Sequence, residues 1–287
     1  MGRIAYVNGR YVPHDRAQVH IEDRGYQFAD GVYEVIAVHK GMLVDADPHL
    51  DRLDRSLREL HIDQPMSRRA LMAVIRELLR RNGIHQGIVY MQVTRGVARR
   101  DHPFPKVSVP ALVMTASRKP PPDLSVLETG KKAVTVPDIR WGRCDIKTVG
   151  LLPNVLAKQQ ARASGAYEAW MVDAQGNVTE GSSTNAWIVT REGQLVTRPI
   201  GNEILSGITR ASVMDLVKRE GIEFVERPFT AEEAKQAREA FITSATSYVL
   251  PIVQIDDAVI GNGKPGTIAR TLLQAYLGHM EGAGASR

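Results

Sequence analysis

The segment Arg118-Lys-Pro-Pro-Pro-Asp123 constrains this chain more than any other. Three consecutive prolines have fixed φ angles and no backbone N–H to donate, so they can continue neither a helix nor a central strand. They read as a stiff linker at 119–123, and the 287 residues are enough for two cores rather than one. The expected organisation is a smaller N-terminal α/β domain over 1–118 and a larger C-terminal domain over 124–287.

Local patterns fill in each part. Ile4–Val7, the Asn8-Gly9 pair and Arg10–Val12 read as a hairpin, and Gly31–Val38, Ile88–Thr94 and Ala111–Thr115 as strands. Leu50, Leu53, Leu57 and Leu60 place one apolar stripe on a helix starting at Asp47. Leu71, Val74, Ile75 and Leu78 do the same for a helix running from Ser67 to Asn82, stopped by Gly83. Past the linker, strands are expected at Ala133–Val136, Ala169–Val172, Asn185–Val189 and Gln194–Thr197. Helices are expected at Asn154–Ser164, after Gly207, and from the capping-box spacing Thr230-Ala-Glu-Glu233. The fold class is α+β.

Composition excludes several functions. No apolar run is long enough to span a bilayer, and the N-terminus leads directly into strand-like sequence. The formal charge is +5, but the arginines are spread along helices without interleaved aromatics, which argues against a nucleic-acid partner. The single cysteine, Cys144, has no partner for an internal disulfide, so a cytoplasmic location is expected. His20, His61 and His85 lack partners at ligand spacing, and there is no Walker loop, G-x-G-x-x-G or zinc motif, so no metal is expected.

Three segments carry possible chemistry. Lys147 lies among Ile146, Val149 and Leu151; alone, such a lysine is ordinarily a surface residue, but a partly buried amine is competent to form a Schiff base. Thr179-Glu-Gly-Ser-Ser-Thr-Asn185 is a polar turn feeding a strand. In Leu205-Ser-Gly-Ile-Thr-Arg210 a glycine opens a helix whose first N–H groups can hold a phosphate, although most such helix starts bind nothing.

Five stretches in fixed order change the weight of these segments: Arg24-Gly-Tyr-Gln-Phe-Ala-Asp-Gly-Val-Tyr-Glu34, Thr94-Arg-Gly-Val-Ala-Arg-Arg-Asp-His102, Arg143-Cys-Asp-Ile-Lys147, Val178-Thr-Glu-Gly-Ser-Ser183 and Gly207-Ile-Thr-Arg210. Together, from about Tyr6 to about Gly266, the chain resembles the fold-type IV aminotransferases and, within them, the D-amino acid aminotransferases. The resemblance implies two α/β lobes with pyridoxal 5'-phosphate (PLP) at their interface. Lys147 would carry the cofactor as a Schiff base and move a proton at the substrate Cα. Glu180 would face the pyridine nitrogen, Arg52 the phosphate, and Leu205 the cofactor ring. Gly207, Ile208 and Thr209 would supply the helix N-terminus beneath the phosphate, with Ser244 and Thr246 contributing from a nearby loop. One position departs from the family pattern: Ala245 stands where the family has a phosphate-binding threonine.

For the substrate, the resemblance implies that Tyr33, Arg100, His102 and Ser183 hold it, with Arg100 and His102 on a loop entering from the neighbouring subunit of a homodimer. Branched-chain aminotransferases carry phenylalanine, glycine and arginine where this chain has Tyr33, Val35 and Ala37, which favours D-amino acids. The expected reaction moves an amino group from a D-amino acid such as D-alanine to a 2-oxo acid such as 2-oxoglutarate, in two half-reactions through a pyridoxamine form. An (R)-selective amine transaminase, an aminodeoxychorismate lyase-like enzyme and an idle PLP-binding protein share the scaffold and are the alternatives.

Overall fold

A computed structural model describes residues 3–121 and 123–282, and these divide into two compact units. The first comprises 3–121 with Ile146–Gly150; the second comprises 123–145 and Leu151–Gly282. The expected linker at 119–123 spans this division, although Pro122 itself lies outside the described residues. The segment carrying Lys147 groups with the first unit, whereas the sequence pattern assigns it to 124–287.

The first unit runs β1 (Ile4–Val7), β2 (Arg10–Pro13), α1 (Arg24–Phe28), β3 (Gly31–His39), β4 (Met42–Leu43), α2 (Ala46–Glu59), α3 (Arg68–Asn82), β5 (Gly87–Thr94) and β6 (Ala111–Arg118). Among the described residues its sheet has the order β2-β1-β6-β5-β3-β4, antiparallel throughout. The leucine stripe explains how α2 docks: Leu50, Leu53 and Leu57 are each 1% exposed and share a core with Leu71, Ile75 and Leu78 of α3 and with Val32, Ile36 and Met91 of the sheet. Each such side chain contributes about 1.5–3 kcal/mol by leaving water. Ser67 caps α3 by accepting from the Ala70 N–H, and Gly83, with φ of 59°, ends it in the left-handed conformation. β6 extends to Arg118, three residues further than expected, because it pairs along the whole length of β5.

The second unit runs α4 (Val126–Thr129), β7 (Lys131–Pro137), α5 (Leu152–Ala163), β8 (Glu168–Val172), β9 (Val178–Gly181), β10 (Asn185–Val189), β11 (Leu195–Thr197), α6 (Ile208–Arg219), β12 (Phe224–Glu226), α7 (Ala231–Lys235), β13 (Glu239–Ser244), β14 (Tyr248–Ile255), β15 (Ala258–Val259) and α8 (Thr267–Gly282). Its mixed sheet has the order β12-β11-β10-β13-β14-β7-β8-β9. α6 and α8 pack on β13 and on each other, while α5 packs on β7 and β8. The residues of β10 and β11 are all buried, so these strands are covered on both faces instead of alternating. No element was expected at 239–255 or 267–282; there the chain forms the β13–β14 hairpin and α8.

Candidate active site

In the first unit, Lys147 is held through its main chain. Tyr33 N–H donates to Lys147 O at 3.0 Å, and Val149 N–H donates to Gly31 O at 3.1 Å. Val32 and Thr148 form an antiparallel bridge, so the segment extends the sheet at the start of β3. The Lys147 Nζ lies over the ring face of Tyr33, 4.1 Å from its centroid, and Tyr33 stacks on Tyr90 at 5.7 Å. Burial, with Tyr33 close by, pushes Tyr90 up to about 12, so its hydroxyl stays protonated and donates to Gln92 Oε1 at 2.7 Å.

In the same unit is a buried charge cluster of Glu34, His49 and Arg52, whose mutual pairing the sequence did not mark. Glu34 is 0% exposed. It accepts from Arg52 Nε and Nη2 at 2.7 and 2.8 Å, and its Oε2 lies 2.7 Å from His49 Nδ1. Burial alone would raise the Glu34 pKa, but the charge and hydrogen bonds of Arg52, with the hydrogen bond of His49, reverse this and hold it at about 2. His49 is pushed below the ordinary histidine range chiefly by burial, against the opposing pull of Glu34. With Glu34 ionised and able only to accept, Nδ1 is the nitrogen that donates. Arg52, expected to hold phosphate, therefore has two of its donors engaged with Glu34.

Arg100 and His102 are exposed on the loop between β5 and β6. Both side chains gather at Phe28: the Arg100 guanidinium carbon is 4.7 Å from its centroid, and the His102 ring centroid is 5.5 Å away.

In the second unit, Glu180 is buried at the end of β9. Its Oε2 accepts from Asn185 Nδ2 at 3.1 Å and from Leu205 N–H at 3.1 Å, and its Oε1 accepts from Arg140 Nη1. The Asn185 amide also donates to Leu205 O at 2.9 Å, tying the segment before α6 to β10. Arg140 reaches Asp138 through Nε and Nη2 at 2.9 and 2.7 Å, and Asp138 further accepts from Thr179 Oγ1 at 2.6 Å. Burial works against the charge on both residues, yet their mutual pairing lowers the Asp138 pKa and raises that of Arg140. Ser183 is exposed, with its Oγ 3.4 Å from Glu168 of β8.

Two residues beyond Leu205, Gly207 is the N-cap of α6 and offers no side-chain cap to the first turn. A Cβ on Gly207 would overlap Asn185 Oδ1, so only glycine fits between the helix start and the amide that holds Glu180. Thr209 is buried, with Oγ1 3.5 Å from the Tyr276 hydroxyl. Asn185 pairs with Thr243, which brings the following Ser244–Thr246 turn to the same end of the sheet. There Ser244 Oγ accepts from Ser247 N–H at 3.0 Å and lies 3.4 Å from Thr246 Oγ1, and Ala245 separates the two hydroxyl residues.

Taken separately, each unit offers groups that PLP chemistry uses: the first an amine at Lys147, the second a carboxylate surrounded by donors, an uncapped helix N-terminus and neighbouring hydroxyls. No group of three or more His, Cys, Asp or Glu side chains that could hold a metal occurs among the described residues. Arg140, Asp138 and Asn185 complete the surroundings of Glu180, and of these Arg140 and Asp138 did not stand out in the sequence. Asn185 closes the Thr179–Asn185 motif, which is the one signal that pointed towards it.

The chain belongs to the amino-transferase class IV family, whose model matches residues 31–255. It is 40% identical over 277 residues to the D-alanine aminotransferase of Staphylococcus haemolyticus, covering 96% of this chain and 97% of that protein. It is also 40% identical over 268 residues to the D-alanine aminotransferase of Bacillus licheniformis, covering 93% and 94%. In fold it is similar to the branched-chain amino acid aminotransferase of Escherichia coli, with a TM-score of 0.88, 23% identity and coverage of 99% and 96%. The branched-chain aminotransferase of the archaeon Thermoproteus uzoniensis, solved with norvaline, gives a TM-score of 0.84 at 28% identity, covering 99% and 97%. The fold-type IV aminotransferase class expected from the sequence is thus the class of this chain, and the protein is an aminotransferase.

Proposed function

We propose that this aminotransferase moves the amino group of a D-amino acid such as D-alanine to a 2-oxo acid such as 2-oxoglutarate, with PLP as its cofactor. The observation that carries the reading is the setting of Glu180: Arg140, Asn185 and the Leu205 N–H all donate to it. A carboxylate ringed by donors suits the anion, the form that keeps a pyridine nitrogen protonated opposite it. Identity of 40% to D-alanine aminotransferases supports the choice of substrate.

When bound, PLP supplies an electron sink conjugated to the substrate Cα. Lys147 would be the base that takes the proton from the substrate Cα, its amine lying over the Tyr33 ring. Glu180 would hold the pyridine nitrogen, and Leu205 would pack on the cofactor ring. The N–H groups of Gly207, Ile208 and Thr209 and the hydroxyls of Ser244 and Thr246 would hold the phosphate, and Arg52, braced by Glu34, would supply a cation for it. Tyr33, Arg100, His102 and Ser183 hold the substrate. A guanidinium forks onto an α-carboxylate and so fixes which face of Cα meets Lys147.

The active form is a homodimer that shares the Arg100–His102 loop. Ile21, Tyr26, Val97, Phe104, Val107 and Val109 of the first unit are all exposed, and large apolar side chains left in water support a partner surface there. The location is cytoplasmic, in keeping with the lone Cys144; no helix among the described residues is long and apolar enough to cross a membrane.

An absorbance spectrum recorded before and after adding D-alanine, with L-alanine and an (R)-amine in parallel, tests the reading. Conversion from the PLP band to the pyridoxamine band with D-alanine alone is the expected result. Conversion by the (R)-amine alone would move the protein to the amine transaminases. A PLP band that no donor converts would make it an idle binder.

A further inference from the structure

Arg24, in α1, is 3% exposed, yet its guanidinium serves an exposed loop. Nη1 donates to Asp101 O at 2.6 Å and to Pro103 O at 3.4 Å, and Nη2 donates to His102 O at 3.2 Å. Nε donates to Asp30 Oδ2 at 2.8 Å. Asp30 also accepts from Nε and Nη2 of Arg95 at 2.8 and 3.0 Å, and Arg95 donates onward to Leu60 O and His61 O. Burial pushes the Asp30 carboxyl up, but hydrogen bonds from Arg95 and Arg24 outweigh it and keep the pKa below the ordinary aspartate range.

The same cluster reaches the loop side chains. Phe28 receives the guanidinium of Arg24 at 4.8 Å and that of Arg100 at 4.7 Å, with the His102 ring at 5.5 Å. The Arg95 guanidinium carbon lies 3.7 Å from the centroid of Phe104. From Arg100 to Phe104, every residue is thus fixed through its carbonyl or its side chain.

An exposed loop can satisfy its carbonyls with water, whereas burying a guanidinium costs several kcal/mol that only close partners offset. A buried cation committed to three consecutive carbonyls of such a loop does little for the core. What it achieves is a fixed direction for the side chains that the loop carries.

We propose that Arg24 is a positioning residue for substrate recognition: through the carbonyls of Asp101, His102 and Pro103 and the ring of Phe28 it orients Arg100 and His102 towards the substrate α-carboxylate. This rests on the reading of Arg100 and His102 under Proposed function, and the test separates the two.

The test measures kcat and KM for D-alanine in PLP-loaded enzyme for Arg24→Lys, Arg100→Ala and the double variant. Lysine keeps the charge beside Asp30 but cannot span three carbonyls. Arg24→Lys is expected to lower kcat/KM roughly tenfold, mostly through KM. In the Arg100→Ala background the same change is expected to cost less than about twofold, because the residue it positions is gone. An equal loss in both backgrounds, or no loss in either, overturns the proposal. A wild-type KM in Arg100→Ala alone removes the carboxylate reading, and that single variant shows it without any change at Arg24. If Arg24→Lys fails to fold, Phe28→Leu, which removes the ring shared by Arg24 and Arg100, takes its place. It is expected to give a smaller loss, about threefold, with the same dependence on Arg100; a loss independent of Arg100 overturns the proposal equally.

Discussion

The guanidinium of Arg52 grips the carboxylate of Glu34 at two points, Nε to Oε1 at 2.7 Å and Nη2 to Oε2 at 2.8 Å, with Glu34 0% exposed. A two-point pair of this kind aligns the guanidinium plane. It also makes Glu34 a structural prerequisite for whatever Arg52 holds.

Glu34→Gln should therefore destabilise the fold by about 3–5 kcal/mol, because it strands a buried guanidinium without its counter-charge. Urea unfolding measures this, and a loss below about 1 kcal/mol would show that the pair is not holding the site. The pH dependence has a definite sign. A carboxyl held at about 2, against an ordinary glutamate value of 4.5, stabilises the folded state above pH 4.5, and this contribution fades as the pH falls towards 2. The wild type should lose about 3 kcal/mol across that window through Glu34, and Glu34→Gln should lack this component.

This cluster also marks the limit of what the sequence displays. Lys147, Glu180 and the Gly207–Thr209 helix start are candidates through the resemblance of the stretches that hold them, since each alone reads as an ordinary surface, turn or cap feature. The partners that fix them come from elsewhere in the chain. Arg140 reaches Glu180 across 40 positions, and Arg24 reaches the 101–103 carbonyls across 77 to 79. The unassigned stretch 239–282 has the same cause. After the Thr230 cap, the run Ala-Glu-Glu-Ala-Lys-Gln-Ala-Arg-Glu-Ala looks helical throughout, yet α7 stops at Lys235. Glu239 then turns inward in β13, and its carboxylate accepts from the N–H groups of Ile268 and Ala269 at 3.2 and 3.1 Å. That side chain serves the start of α8 from 30 residues away, a cap that no local capping signal encodes.

Replacing Lys147 with Ala should abolish the half-reaction with D-alanine, lowering its rate by at least about 10⁴-fold, since proton transfer by a placed base alone is worth about 10²–10⁴. Stopped-flow absorbance measures the rate. Residual conversion within about tenfold of the wild type would show that another group takes the Cα proton.

Arg140→Met should weaken PLP binding about tenfold or more in a titration of the apoenzyme followed by absorbance. It removes one of the donors to Glu180 and leaves the Asp138 carboxylate, half of the same network, without its guanidinium. Arg140→Lys, which keeps the charge without the fork, should fall between Met and the wild type. Equal affinity in all three would mean that Asn185 and the Leu205 N–H suffice to set the carboxylate.

Ala245 offers a test in the opposite direction. It lies half-buried between Ser244 and Thr246 in the β13–β14 turn, and its φ is negative, so a β-branched residue meets no left-handed strain there. Ala245→Thr adds one hydroxyl to a turn that already supplies two, at the sheet end where α6 begins. One further hydrogen bond, worth about 0.5–1.5 kcal/mol net, should tighten PLP about 2- to 12-fold in the same apoenzyme titration. The gain should disappear with pyridoxal, which lacks the phosphate. A tighter Kd for both would trace the effect to turn stability and not to the phosphate; no change in either would mean that Ser244 and Thr246 already satisfy the phosphate oxygens on that side.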